Sequence, residues 1–307
     1  MPNSRLDKYQ TLNNSFKKKV VFRLGESAGF FSEYNNMILC MLYCLNNGIR
    51  FELCSIDANF SNRLGWLDYF EPFCCESNQI LTYNRRNIPN RRRKRVMAEI
   101  QKRLYGVDYL TYDLWNCIRS RELEKKEYDI RDLGIVGTIQ DACKTLVQLT
   151  WRYNDNTKIA IDKLIETLSL PSSYIGFHIR GGDKYFEMDI KHIREYVSKA
   201  ETLTDEKNVF ILTDDYSVIE SFQIDYPQWN IYTMCQESER GYFHLKFQQK
   251  SKVDIRDAHL RLFAAIDILS GASLFVGTFS SNPGMYLGMR MDKEKVHGVD
   301  LDCWQIW

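Results

Sequence analysis

No run of apolar residues in this sequence is long enough to cross a bilayer, and residues 1–20 are polar and lysine-bearing, without an apolar signal core. There is no Cys-x-x-Cys pair. The nine cysteines follow no framework spacing: Cys40 and Cys44 lie one helical turn apart in an apolar stripe, and Cys74 and Cys75 are adjacent. That pattern excludes a disulfide scaffold and implies free thiols in a reducing compartment. Only five histidines occur and none stands in a metal-ligand motif, which argues against a zinc site. Net charge is missing too: 41 basic side chains against 40 acidic ones leave +1, so no whole-molecule attraction to a polyanion is expected. Internal repeats, low-complexity tracts and a GxGxxG segment are also absent. What is present is a chain of 307 residues, 44% hydrophobic and 26% charged, the composition of a globular protein with room for two modest domains.

Residues 19–24 predict a first strand, 25–32 a glycine-bearing loop, 33–45 a helix stopped by Asn46-Asn47-Gly48, and 49–54 a second strand. Strand, loop, helix and strand make a βαβ unit. The loop, with Gly29 near its end, either receives an anion at the helix start or is only a tight turn. Residues 57–135 are less regular. Arg91-Arg92-Arg93-Lys94-Arg95 begins a helix running toward Leu104. Its charges are read as a solvated helix face or local ion pairs rather than as a nucleic-acid patch, because the whole chain is balanced. Helices are expected over 139–153 and 156–169, closed by Leu170-Pro171, and the domain change is placed there, giving domains 1–165 and 166–307. Beyond it, strands at 174–178, 208–213, 229–233 and 273–277 alternate with helices at 190–203, near Val218 and at 257–270. This alternation predicts a parallel sheet covered by helices.

Three polar clusters fall at strand ends, the edge at which an open α/β sheet binds ligands. The first is His178-Ile179-Arg180-Gly181-Gly182-Asp183-Lys184. Arg180 offers a planar fork of donors suited to phosphate oxygens. The two glycines let the backbone approach an anion, and Asp183 and Lys184 add both charge signs. The second cluster is Thr213-Asp214-Asp215. Its paired acids suit a metal, a ribose contact, a charge partner for Arg180 or Lys184, or a cap on the next helix. The third is Thr278-Phe279-Ser280-Ser281-Asn282, followed by Pro283-Gly284. Hydroxyls and N–H groups at a helix start either hold phosphate or cap the helix. All three tips are expected on one edge of one sheet, and that convergence favours a ligand site over separate caps.

Together these segments resemble the α1,6-fucosyltransferase family and its relatives in the GDP-fucose transferase group. The first family motif is similar to His178, Arg180, Asp183 and Lys184, and the second to Thr213-Asp214-Asp215. The third joins a helix bearing an acid, here Asp267, to a strand entering Thr278-Phe279-Ser280-Ser281. Gly298-Val299-Asp300 resembles the family's closing segment, whereas the loop at Gly29 is similar in placement only. The resemblance implies an α/β fold of GT-B type, with two Rossmann-like domains facing a central cleft. The first would be the acceptor side and the second would bind the nucleotide sugar.

It also implies inverting, metal-independent transfer of fucose from GDP-fucose to a glycan acceptor, with no cofactor beyond the donor and no nucleic-acid partner. Arg180 would hold the donor's β-phosphate, assisted by Ser280 and Ser281; His178 and Asp267 would recognise guanine, and Asp214, Asp215 and Thr278 would lie along the nucleotide sugar. The family places its acceptor-side glutamate four residues beyond the lysine, and here Glu187 comes one position early. Glu187 is nonetheless assigned as base, beside Asp183 and Lys184, because Asp189 is the natural cap of the next helix and a capping carboxylate is a poor proton acceptor. The alternatives are a UDP-pentose donor on the same scaffold, or a nucleotide-sugar-binding protein without turnover. Without a recognisable stem, anchor or accessory domain, the expectation is a soluble cytoplasmic enzyme of bacterial or virus type.

Overall fold

The computed structural model describes residues 4–26, 28–77, 83–86, 92–180, 191–241 and 251–306. The chain folds as two α/β units, Met1–Asn154 and Asp155–Trp307.

In the first unit, α1 (Arg5–Ser15) starts at a reciprocal cap: Ser4 Oγ accepts from the Asp7 N–H, and the Asp7 carboxylate accepts from the Ser4 N–H. Strand β1 (Lys18–Arg23), helix α2 (Phe30–Asn47) and strand β2 (Ile49–Cys54) form the expected βαβ unit, with Gly48 at φ +62° ending the helix. After α3 (Arg92–Tyr105), the two-residue β3 (Tyr109–Leu110) completes a parallel sheet of order β2-β1-β3. Helix α4 (Thr111–Ile118), an antiparallel pair of β4 (Tyr128–Ile130) and β5 (Ile135–Gly137), and α5 (Ile139–Thr150) follow. Strands of two or three residues have too few positions to show a period, which is why 57–135 looked irregular. Helix α2 packs against β2, α4 and α5. Beside it, Phe30, Tyr34, Trp66, Phe70 and Trp151 form a ring cluster in which Trp66 stacks on Phe70 at 4.1 Å.

The second unit opens with α6 (Asp155–Glu166), which packs along α9 (Lys252–Gly271). The divide therefore falls before this helix, eleven residues earlier than its position in the sequence suggests. Five strands form one parallel sheet: β6 (Ile175–His178), β7 (Asn208–Leu212), β8 (Asn230–Thr233), β9 (Leu274–Gly277) and β10 (Val296–Gly298), in the order β10-β9-β6-β7-β8. Helices α7 (Ile193–Glu201), α8 (Tyr216–Asp225) and α10 (Asn282–Arg290) complete the unit. Ile175, Phe177, Val209, Ile211 and Val276 pack with Tyr196, Phe222 and Trp229 in one buried core. On the other face, a Cβ at Gly176 would stand 2.7 Å from Leu269, so glycine lets α9 lie close on β6.

One buried charge matters to the first unit. Glu33, in the opening turn of α2, has no solvent exposure; its carboxylate pairs with Arg86 and accepts the Ala28 N–H at 3.1 Å. An acid there is favoured by the helix dipole, and its removal leaves a largely buried guanidinium without its main counter-charge. Glu33→Ala is expected to cost about 3 kcal/mol. Urea denaturation checks this, and a midpoint matching the parent protein would remove the pair from the unit's stability.

Candidate functional site

The second sheet grows outward from β6 in both directions: β7 and β8 on one side, β9 and β10 on the other. This is the reversal of strand order at which open α/β sheets place ligands, beyond the carboxyl ends of the strands. In register, His178 pairs with Leu212 and Phe177 with Val276, so the ends of β9, β6 and β7 stand side by side. The structure thus brings His178 and Arg180 of the first cluster to one edge with the second and third clusters.

His178 is the last paired residue of β6 and is 5% exposed. Burial, reinforced by the charge of Arg180, pulls its imidazole down to about 3, so it is neutral. Its Nδ1 lies 3.3 Å from Ser281 Oγ. Ser281 caps α10, accepting the Gly284 N–H while donating its own hydrogen to the Thr278 carbonyl at 2.8 Å. A Cβ at Gly284 would come within 1.9 Å of that same carbonyl, so glycine closes the turn. Arg180 stands two residues beyond the strand, half-buried, at a recess of about 620 Å³ whose lining also includes Lys191, His192, Asp215, Ser217 and Tyr226.

Asp300, just past β10, accepts the Phe279 N–H at 2.9 Å, the Ser280 N–H at 3.0 Å and the Ser280 hydroxyl. Both serines therefore spend their hydroxyl hydrogens inside the fold. Asp267, on α9, forms an ion pair of 2.6 Å with Arg290. Asp215 caps α8, accepting the Ser217 N–H at 2.9 Å, and donates its own N–H to Thr213 Oγ1. The Asp214 carbonyl accepts from Gly241 at 2.8 Å. Among the described residues no three His, Cys, Asp or Glu side chains converge as metal ligands would. Gly29 belongs to the first unit, where it is the exposed N-cap residue of α2. Gly181, Gly182, Asp183, Lys184, Glu187 and Asp189 lie outside the described residues. Two participants escaped sequence reasoning: Arg290, and the role of Asp300, which only the similarity of the closing segment signalled.

Residues 133–284, just under half the chain, match the family model for alpha-(1,6)-fucosyltransferase N- and catalytic domains. Over that stretch the chain resembles the alpha-(1,6)-fucosyltransferases, and its α/β fold is of the GT-B type. The fold agrees with solved structures at low identity. NodZ alpha-1,6-fucosyltransferase soaked with GDP-fucose is 15% identical with a TM-score of 0.52, covering 90% of this chain and 93% of that one. Fucosyltransferase NodZ from Bradyrhizobium is 13% identical at 0.53, covering 89% and 92%. POFUT1 in complex with GDP-fucose is 11% identical at 0.50, covering 94% and 98%. Among curated proteins none matches.

A second buried histidine shares the behaviour of His178. His259 on α9 is held down to about 4 by burial, partly offset by the Ile255 carbonyl 2.7 Å from its Nδ1. In the unfolded chain both imidazoles titrate near 6.5. As pH falls below that value the unfolded state takes up protons that the folded state refuses, so stability declines toward the folded values. Each group contributes at most about 1.4 kcal/mol per pH unit in that window. The melting temperature is expected to drop between pH 7 and pH 5, and more shallowly in the His178→Gln/His259→Gln variant. Equal slopes in the two proteins would contradict this assignment.

Proposed function

We propose that this chain transfers fucose from GDP-fucose to a glycan hydroxyl, with inversion and without a metal. The reading rests on one arrangement: Arg180, the neutral His178 and the serine turn meet at the strand-order reversal of a parallel sheet. The GDP-fucose present in the NodZ and POFUT1 structures supports the choice of donor. As the sugar–phosphate bond breaks, negative charge gathers on the leaving diphosphate, and a fixed guanidinium stabilises it with no need of a cation. Arg180 takes that role. Ser280 and Ser281, their hydrogens already used, act by holding the turn in shape. Guanine's N1–H and exocyclic amine would compete with Arg290 for Asp267. The acceptor hydroxyl attacks the opposite face of an oxocarbenium-like centre and passes its proton to a carboxylate, a role assigned to Glu187. Residues 1–154 provide the acceptor side.

A thermal-shift panel of GDP, UDP, GDP-fucose and UDP-sugars tests the donor, because a ligand that binds only the native state raises the melting temperature with concentration. GDP and GDP-fucose are expected to do so. Arg180→Lys keeps the charge but loses the fork, so the shift should shrink and turnover should fall at least about tenfold, about 1.4 kcal/mol of barrier. A response to uridine nucleotides alone would move the assignment to a UDP-pentose donor, and normal turnover in the lysine variant would remove Arg180 from the phosphate.

Metal independence has its own check. Activity in EDTA is expected within about twofold of control, a small change on the barrier scale. If EDTA abolishes the rate and manganese or magnesium restores it, Asp214 and Asp215 become ligands and Arg180 loses its exclusive role.

A further inference from the structure

The basic run before residue 96 serves no purpose at the site above, and the structure adds a feature that its charges alone do not suggest. Helix α3 rests on the first unit through one narrow side. Ala98 is fully buried among Val21, Cys54, Val107 and Leu110, and Lys102 turns inward to Glu99 and Asp113. Its opposite side carries Val96, Ile100 and Leu104, four residues apart, with Met97 between them. At 3.6 residues per turn these four share one stripe along the helix. They are 52%, 44%, 76% and 41% exposed, respectively. Isolated exposed apolar residues are ordinary, but four on one helical stripe are not.

Charge surrounds the stripe. Helix α3 carries Arg92, Arg93, Lys94, Arg95, Lys102 and Arg103 against a single acid, Glu99, in a chain that is otherwise balanced. Arg92, Arg93, Lys94 and Arg103 are exposed and form no ion pair with any described residue. We propose that α3 is a membrane-surface helix that lays Val96, Met97, Ile100 and Leu104 into the headgroup boundary of an anionic phospholipid bilayer, while the flanking arginines and lysine hold the lipid phosphates. Such a surface satisfies both halves of the helix at once: apolar side chains leave water, and long basic side chains reach out to phosphate. Two other occupants, a second copy and a nucleic acid, satisfy only one half. A second copy would bring six basic residues against six, and a nucleic acid would leave the aliphatic stripe without a partner.

Flotation of the full chain with phospholipid vesicles tests this. Binding is expected to vesicles of phosphatidylcholine mixed with phosphatidylglycerol, to be far weaker with phosphatidylcholine alone, and to decline as salt is raised. Ile100→Gln/Leu104→Gln should lower the partition coefficient at least about tenfold, and Arg92→Gln/Arg93→Gln should lower it as well. Both pairs are solvent-exposed, so melting temperatures should match the parent protein and certify the fold. The proposal is overturned by any of three results: no flotation with the anionic vesicles, equal flotation with neutral ones, or unchanged partition in the correctly folded Ile100→Gln/Leu104→Gln protein, which would reduce the contact to charge alone.

Discussion

A parallel strand flanked on both sides and covered on both faces has no place along its length for polar chemistry. β6 is such a strand: its four residues are all buried, and both neighbours run parallel to it. Polar groups can enter only where the ladder ends. His178 stands at that limit, still within the ladder and so stripped of water, and it responds by staying neutral. Arg180, two residues on, stands half-buried at the recess. The division of labour at the site, a neutral imidazole inside and a guanidinium at the rim, follows from the depth of each residue past one strand end.

Several of the other polar residues singled out in the sequence are already bonded. Asp300 gathers two backbone N–H groups and a hydroxyl, Ser281 caps α10, Asp215 caps α8, and Asp267 pairs with Arg290. Internal bonds of this kind hold the turns in place before any ligand arrives, which is the condition under which fixed dipoles favour developing charge most effectively. They also set a cost. A ligand that needs the Asp267 carboxylate must exchange one partner for another, so the net gain is the difference between two charge-assisted bonds and not the full worth of one.

Much of this was legible beforehand because it depends on local order. Strands end where the apolar run ends, and β6, β7 and β9 bring their polar residues immediately afterwards, so placing three clusters on one edge needed only the parallel topology. Helix capping by Asp215 was similarly local. The contacts that escaped are those between distant positions: Asp267 with Arg290, and Ser280 with Asp300 through the three-residue β10. No period or spacing encodes them. The unit to which α6 belongs is likewise set by its packing against α9 and not by a break in composition. In α3 the basic run was plain, but the exposure of its aliphatic stripe was not, because periodicity alone cannot tell a face that meets the core from one that meets solvent.

The formal charge of +1 illustrates how composition averages over what matters. At physiological ionic strength, exposed charges act over about 8 Å, much less than the width of either unit. Over its length α3 carries six basic residues and one acid, with Lys102 turned inward to Glu99 and Asp113, while the recess at Arg180 is lined by three basic residues, Arg180, Lys191 and Arg194, against Asp215 and Asp225. Each patch therefore presents its own local field. Some of the acids that balance the total are engaged inside the fold, as Asp215 is on α8 and Glu33 is on Arg86.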